Sequence, residues 1–166
     1  MSETAEQAEQ AERAELAELA ELAEQYVELY AGGERYAIRI EEVGEILRVG
    51  PMTVIPGARP SILGVTNIRG NLVPIVSLRR RLGMEDAAPE ASSSARIVVV
   101  PYRGENVGIQ VDGVSRVVRM RSVQPAGGER DRAAAADCEG IGRTDEGLTG
   151  ILQVERILEE QLWQPF

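Results

Sequence analysis

The sequence predicts an all-β protein of two small five-stranded barrels on a shared apolar seam, with an N-terminal acidic helix and a short C-terminal helix. Short apolar stretches alternate with glycine and proline turns roughly every 8–12 residues, which is typical of sandwiches and small barrels. The chain also repeats itself at an offset of 76 residues, as between Gly64 and Gly140. Aromatic residues make up 4% and apolar residues 43% of the chain, so valine, isoleucine and leucine must build the core.

Residues 1–25 are predicted to form the acidic helical extension. Glutamate recurs at every third position from Glu3 to Glu24, among alanine, leucine and glutamine, which are strong helix formers. A period of three does not match 3.6 residues per turn, so no face of the helix stays apolar. We expect solvated side chains here, and a partner-binding or membrane-surface role for the helix stays open as the alternative.

The first barrel is predicted over about residues 26–82. Residues 26–30 and 36–40 alternate on either side of Gly32 and Gly33, which indicates a hairpin. A third strand covers 45–49, and a second hairpin, 62–68 with 72–78, turns at Arg69 and Gly70. Pro74 has no donor for a strand ladder, so we expect it at an edge or a bulge.

Residues 83–95 are a linker by composition, and the second barrel is predicted over about residues 96–152. Apolar residues at 154, 157, 158 and 162 predict a C-terminal helix over 153–163. A slightly shorter offset relates residues 46–49 to 117–120. Because five strands alone bury too little surface, we expect the two units to pack together. Two alternatives to this architecture stay open: one continuous sandwich, and two barrels that exchange their end strands.

Composition argues against catalysis. The chain has no histidine, no lysine and one cysteine, which removes the commonest general base and metal ligand, and we expect no cofactor and no metal. A net charge of −9 argues against nucleic-acid binding. No apolar stretch is long enough to insert into a membrane, and we expect a cytoplasmic protein. Cys138 is expected in the core, and the arginines at 79–81 on a solvated face.

One segment is unusual, because Arg69 stands at a hairpin tip between two strongly apolar strands. Gly64 and Gly70 allow a close backbone approach or a turn, and Glu45 on a neighbouring strand could face the arginine. Two interpretations stay open. One is a turn with an internal Arg–Glu pair, and the other is a protein-binding rim with the arginine as its anchor.

Six stretches in order resemble the CheW-like adaptor domains of bacterial chemotaxis. They are YAIRI at 36–40, VGEI at 43–46, ILGVTNIRG at 62–70, VPIVSL at 73–78, VGIQVDGV at 107–114 and GIL at 150–152. The resemblance covers about residues 26–160 and implies two SH3-like barrels without enzymatic activity. It implies an adaptor between the cytoplasmic tip of methyl-accepting chemoreceptors and the regulatory domain of a CheA-type histidine kinase, recruited to receptor arrays at the inner membrane face.

The resemblance also implies a receptor-binding set, and it assigns no kinase-binding residues. By position, the set consists of Val43, Glu45, Gly64, Asn67, Arg69 and Gly70. Two positions depart from the family pattern, since Ser77 stands where aspartate is usual and Gln153 where an acid is common. The acidic helix is an addition to the usual domain. The alternative is therefore a regulatory or decoy protein of a parallel signalling system, such as one that controls surface motility.

Overall fold

The computed structural model describes residues 2–23, 25–120, 123–125 and 137–162. Within these ranges there are three α-helices: α1 Ser2–Ala23, α2 Leu78–Arg81 and α3 Val154–Leu162. The first strands are β1 Gln25–Ala31, β2 Glu34–Arg39, β3 Glu45–Arg48, β4 Ile62–Ile68, β5 Asn71–Ser77 and β6 Arg96–Tyr102. They are followed by β7 Glu105–Val111, β8 Gly113–Arg119, β9 Val123–Pro125, β10 Cys138–Thr144 and β11 Gly147–Leu152. The C-terminal helix was predicted to end at position 163, which lies outside the described residues.

The strands form two sheets, each with its own apolar interior, and this agrees with the predicted pair of barrels. One sheet has the order β3-β6-β7-β5-β4, and we call it the central barrel because its strands are consecutive in the chain. The other has the order β8-β1-β2-β11-β10-β9, and we call it the terminal barrel because both ends of the chain contribute to it. Its sixth strand, β9, has only three residues, and the corresponding feature of the central barrel is the single bridge between Thr53 and Val65.

The sheets do not divide the chain at the boundaries 26–82 and 96–152. Strands β1 and β2 pair with β8 and β11 of the terminal barrel, whereas β6 and β7 pair with β3 and β5 of the central barrel. Tyr26 therefore crosses directly to the second unit. Of these four pairings, β2 with β11 and β5 with β7 are parallel, and all four link segments that are far apart in sequence.

The sequence repeat reappears as matched strand registers. In the central barrel, the β4–β5 ladder shifts register between Ile62 and Gly64. In the terminal barrel, the β10–β11 ladder shifts between Cys138 and Gly140, which are the same two positions at the offset of 76 residues. A bulge bends its strand and increases the local twist, so the two barrels turn at equivalent places.

The core lies in three clusters, of which the largest is the seam between the barrels. It joins residues from both sheets, such as Leu29 and Ile38 with Val98 and Ile109, and α3 adds Ile157. Smaller clusters fill the interiors of the terminal and central barrels. Each apolar side chain buried here contributes about 1.5–3 kcal/mol to folding, so the seam is the largest single stabiliser. Cys138 belongs to this seam cluster, and burial, with a smaller effect of Asp137, raises the pKa of its thiol to about 11.

The expectation of a solvated face holds for Arg80, which is exposed, and is wrong for Arg79 and Arg81, which are half-buried. Arg79 donates two hydrogen bonds, of 2.7 and 2.6 Å, to the carboxylate of Asp112, and Arg80 pairs with Asp86 at 2.9 Å. Arg81 crosses the seam to the buried Asp137 at 3.0 Å. The composition did not reveal these acids because two of them are more than 30 positions away.

Pro74 lies neither in an edge strand nor at a bulge, which is a second difference from the expectation. Strand β5 runs between β7 and β4, and the parallel pairing with β7 begins only at Ile75. On the other side, Pro74 stands opposite Val65. The proline thus precedes the first residue that pairs with β7, where a missing N–H does not interrupt that ladder.

Helix α1 has exposed side chains over residues 3–16, as its three-residue period predicts, and it meets the body of the protein at a 3-10 turn, Ile40–Glu42. Among the residues that can be described, no helix is long and apolar enough to cross a membrane.

Candidate functional site

The tip of the β4–β5 hairpin displays Arg69 in an unusual backbone conformation. Arg69 has φ of 53° and Gly70 has φ of 85°, and two positive φ values in a two-residue loop define a type I′ turn. The Asn67 side chain stabilises the turn, since its Oδ1 accepts a hydrogen bond of 2.9 Å from the Gly70 backbone N–H. A type I′ turn follows the twist of the strands, so the hairpin holds the arginine in a defined place.

Arg69 forms an ion pair and still faces solvent. Its Nη2 lies 2.8 Å from Oε2 of Glu45, while 80% of the arginine side chain remains exposed. Glu45 begins β3, at the opposite edge of the sheet from β4, so the pair bridges the two edges of the central barrel. An exposed pair of this kind contributes at most about 1 kcal/mol to stability, and its main effect is to orient the guanidinium.

Gly64 lies in β4 at a close approach of two backbone segments. A Cβ atom at this position would stand 2.6 Å from the carbonyl oxygen of Thr53. Thr53 and Val65 exchange two backbone hydrogen bonds of 2.9 Å, which hold the segment before β4 against the strand. Gly64 therefore influences this surface through the position of the backbone, because it has no side chain with which to touch a partner.

Val43 also has a packing role. It follows the 3-10 turn Ile40–Glu42 and packs against the seam cluster. The next residue, Gly44, donates a backbone hydrogen bond of 2.7 Å to the carbonyl of Val99, which fixes the start of β3. The structure thus links Glu45 and Arg69 by their ion pair, and it places Val43 and Gly64 where they support the backbone beside them.

The sequence-based prediction of the site missed two exposed apolar side chains near this tip. Leu72, two residues after the turn, is 75% exposed, and Ile46, next to Glu45, is 40% exposed. Strand alternation places Leu72 on the same face as Val76, and Ile46 stands opposite Val98; both valines belong to the seam cluster. The repeat could have found them, because Leu148 and Val117 occupy the corresponding positions and are exposed as well.

We use the term Arg69 rim for Glu45, Ile46, Asn67, Arg69 and Leu72. The corresponding end of the terminal barrel has the charges reversed on a different turn, since Asp145 and Glu146 lack the positive φ values of Arg69 and Gly70. There the arginine is on the strand and the acid at the turn, since Nη2 of Arg116 lies 3.7 Å from Oε1 of Glu146. This end of the terminal barrel can therefore be compared with the Arg69 rim within one molecule.

The side chains of the Arg69 rim are suited to recognition of a partner. A guanidinium, an amide and a carboxylate can hydrogen bond to a partner, and the two apolar side chains can be buried under it. Across the described ranges, no group of three or more histidine, cysteine, aspartate or glutamate side chains is arranged to hold a metal ion.

Comparison with known proteins gives one consistent family. The family model described as "CheW-like domain" matches residues 25–162. A chemotaxis protein CheW of Bacillus subtilis is 28% identical over 142 residues, which cover 83% of this chain and 88% of the relative. A chemotaxis protein CheW of Helicobacter pylori is 29% identical and covers 82% of each chain. The crystal structure of the scaffolding protein TtCheW from Thermoanaerobacter tengcongensis superposes with a TM-score of 0.73 at 28% identity, over 82% of this chain and 93% of that one.

Proposed function

Because this chain belongs to the family of CheW-like domains, we propose that it is a non-enzymatic adaptor of a bacterial chemotaxis system. It holds the cytoplasmic tip of a methyl-accepting chemoreceptor and the regulatory domain of a CheA-type histidine kinase together. Two faces that engage two partners raise the effective concentration of each for the other, and no covalent step is needed. Its place of action is the cytoplasmic side of the membrane, at the receptor array.

The observation that carries the receptor part of the proposal is the presentation of Arg69. The side chain is 80% exposed although it is ion-paired, and a type I′ turn fixes its backbone. An arginine that is already oriented loses little conformational freedom on binding, which favours it as an interface anchor. We assign receptor contact to Glu45, Asn67, Arg69 and Gly70, and a supporting role to Val43 and Gly64.

The internal-pair interpretation and the rim interpretation predict different results for a charge exchange. Arg69→Glu breaks the pair with Glu45, and an anchor of this kind contributes about 2 kcal/mol, so receptor affinity falls about 30-fold. The double variant Arg69→Glu with Glu45→Arg restores an ion pair but inverts the charges. If the rim contacts the receptor, the double variant still binds weakly.

The measurement is binding of a chemoreceptor cytoplasmic fragment from the same organism, with thermal unfolding recorded for every variant. Arg103→Glu is the matched control, because Arg103 occupies another positive-φ turn, with φ of 50° before Gly104 at 80°. Full recovery of binding in the double variant would show that the pair acts only inside the protein. Purification of the tagged protein from its own cells tests the adaptor role itself, since a receptor and a histidine kinase must then co-elute.

A further inference from the structure

Two arginines stand side by side on adjacent strands of the central barrel, at the edge of its sheet. Arg48 of β3 is the direct antiparallel partner of Arg96 of β6. Directly opposite residues have Cβ atoms about 4.5–5.5 Å apart on one face of the sheet, and like charges at that spacing destabilise the sheet. Other arginines near this barrel, such as Arg69, Arg79 and Arg80, do meet carboxylates.

The two guanidinium groups differ in how firmly they are held. Arg96 is half-buried, and its Nη1 donates to the backbone carbonyls of Ser93 at 3.0 Å and Ala95 at 2.8 Å. Arg48 is exposed. Within the ranges of the chain that the structure covers, neither side chain pairs with a carboxylate. One guanidinium is thus anchored, and a second one beside it is free to close on a ligand.

We propose that Arg48 and Arg96 form a clamp for one acidic side chain of the receptor that docks on the Arg69 rim. The inference rests on the proposed function. Carboxylate is the natural ligand, because the planar guanidinium fork matches its two oxygens, and a bound carboxylate would relieve the repulsion between the arginines.

The position of the clamp fits a continuous docking surface. Arg48 follows Glu45 by three residues on the edge strand β3, about 10 Å along the strand, so these two side chains lie on opposite faces. Ile46 lies between them, on the same face as Arg48, and is exposed. A partner that covers the rim as far as Ile46 would next reach Arg48 and Arg96, on the face that Ile46 shares with Arg48.

The terminal barrel offers no such clamp at the corresponding place. There Arg119 of β8 stands opposite Gln25 of β1, so only one of the two positions is an arginine. The chain as a whole carries a net charge of −9, which repels acidic partners. A local pair of arginines therefore gives an acidic segment one specific place to bind, and it lies on the same barrel as Arg69.

A direct test uses the full-length protein and a probe that does not depend on the receptor. In NMR titrations, hexaglutamate should shift the backbone resonances around Arg48 and Arg96, and hexaglutamine should not. Arg48→Glu should abolish these shifts, while Arg103→Glu, with the same change of net charge, should keep them. Inorganic phosphate is titrated in parallel. Binding of phosphate without any response to hexaglutamate would overturn the carboxylate assignment.

A second test uses the receptor fragment and separates the clamp from the adaptor role. Arg48→Glu should weaken binding of the fragment about tenfold and reduce the dependence of affinity on salt, because a charged contact is lost. Arg48→Lys should recover part of the affinity. If Arg69→Glu weakens binding and Arg48→Glu does not, the clamp is refuted and the rim stands. If the wild-type protein does not bind the fragment, the proposed function fails instead.

Discussion

The ion pair between Arg81 and Asp137 gives the most direct test of how the two barrels are held together. Arg81 belongs to α2, which follows β5 of the central barrel, and Asp137 immediately precedes β10 of the terminal barrel. The Nη2 to Oδ1 distance is 3.0 Å, and the exposed fractions of the two side chains are 21% and 5%. The pair therefore crosses the seam in a mostly dry environment.

Asp137→Ala removes the carboxylate and leaves the guanidinium largely buried. Removal of one partner from a buried ion pair costs about 3–5 kcal/mol. Arg81 is partly exposed and keeps long hydrogen bonds, of 3.4 Å, to the carbonyls of Arg156 and Ile157, so we expect the lower end, about 3 kcal/mol. For a chain of this length, that corresponds to a fall in Tm of about 6–12 °C.

The assay is urea unfolding followed by circular dichroism. Asp86→Ala is the control, because it breaks the exposed pair with Arg80 in the same helix and should cost only about 0.5 kcal/mol. The double variant Arg81→Met with Asp137→Leu should recover most of the loss, since apolar replacement of a buried pair is often neutral or stabilising. An Asp137→Ala loss no larger than that of Asp86→Ala would refute the reasoning.

Three further predictions concern other parts of the molecule. Hydrogen bonds from Arg79 hold the pKa of Asp112 below its ordinary value of about 3.9. The contribution of the Asp112 carboxylate to the unfolding free energy is therefore complete above that value and is lost as pH falls through the pKa in the folded protein. The difference in unfolding free energy between wild type and Asp112→Asn should shrink when it is measured at decreasing pH. Gly64→Ala should lower stability by about 1–3 kcal/mol and weaken receptor binding, whereas Gly50→Ala, where a Cβ meets open space, should change neither. Fragments 1–90 and 91–166 should each fail to fold alone and should regain the native circular dichroism spectrum when mixed, because each barrel needs strands from both.

The sequence was sufficient for the architecture because the evidence for it is local. Turn residues and apolar alternation mark strands one at a time, and the repeat at 76 residues relates the hairpin of Gly64 to that of Gly140. The pair of Arg69 with Glu45 was also within reach, since their strands were predicted and the two charges are complementary. Fold and site were predictable to the extent that they depend on neighbours along the chain.

What the sequence could not show depends on contacts between distant segments. The pairing of β1 with β8 joins residues about 90 positions apart, and no turn chemistry encodes it. The same limit explains the error about α2, because Arg79 finds Asp112 only after the barrels have formed. The close approach of Gly64 to Thr53 was not predictable for the same reason, because it requires the segment before β4 to fold back on the strand.

The exchange of strands has a consequence for signalling by an adaptor. The chain passes between the barrels twice, from β2 to β3 and from β7 to β8, so the central barrel is inserted in sequence between strands of the terminal barrel. The buried pair of Arg81 with Asp137 and the shared seam add to this connection. A load on the Arg69 rim can therefore reach the terminal barrel through the packed side chains of the seam and through this ion pair. Residues 83–95 lie between β5 and β6 of the central barrel, so they are not a linker between the two barrels.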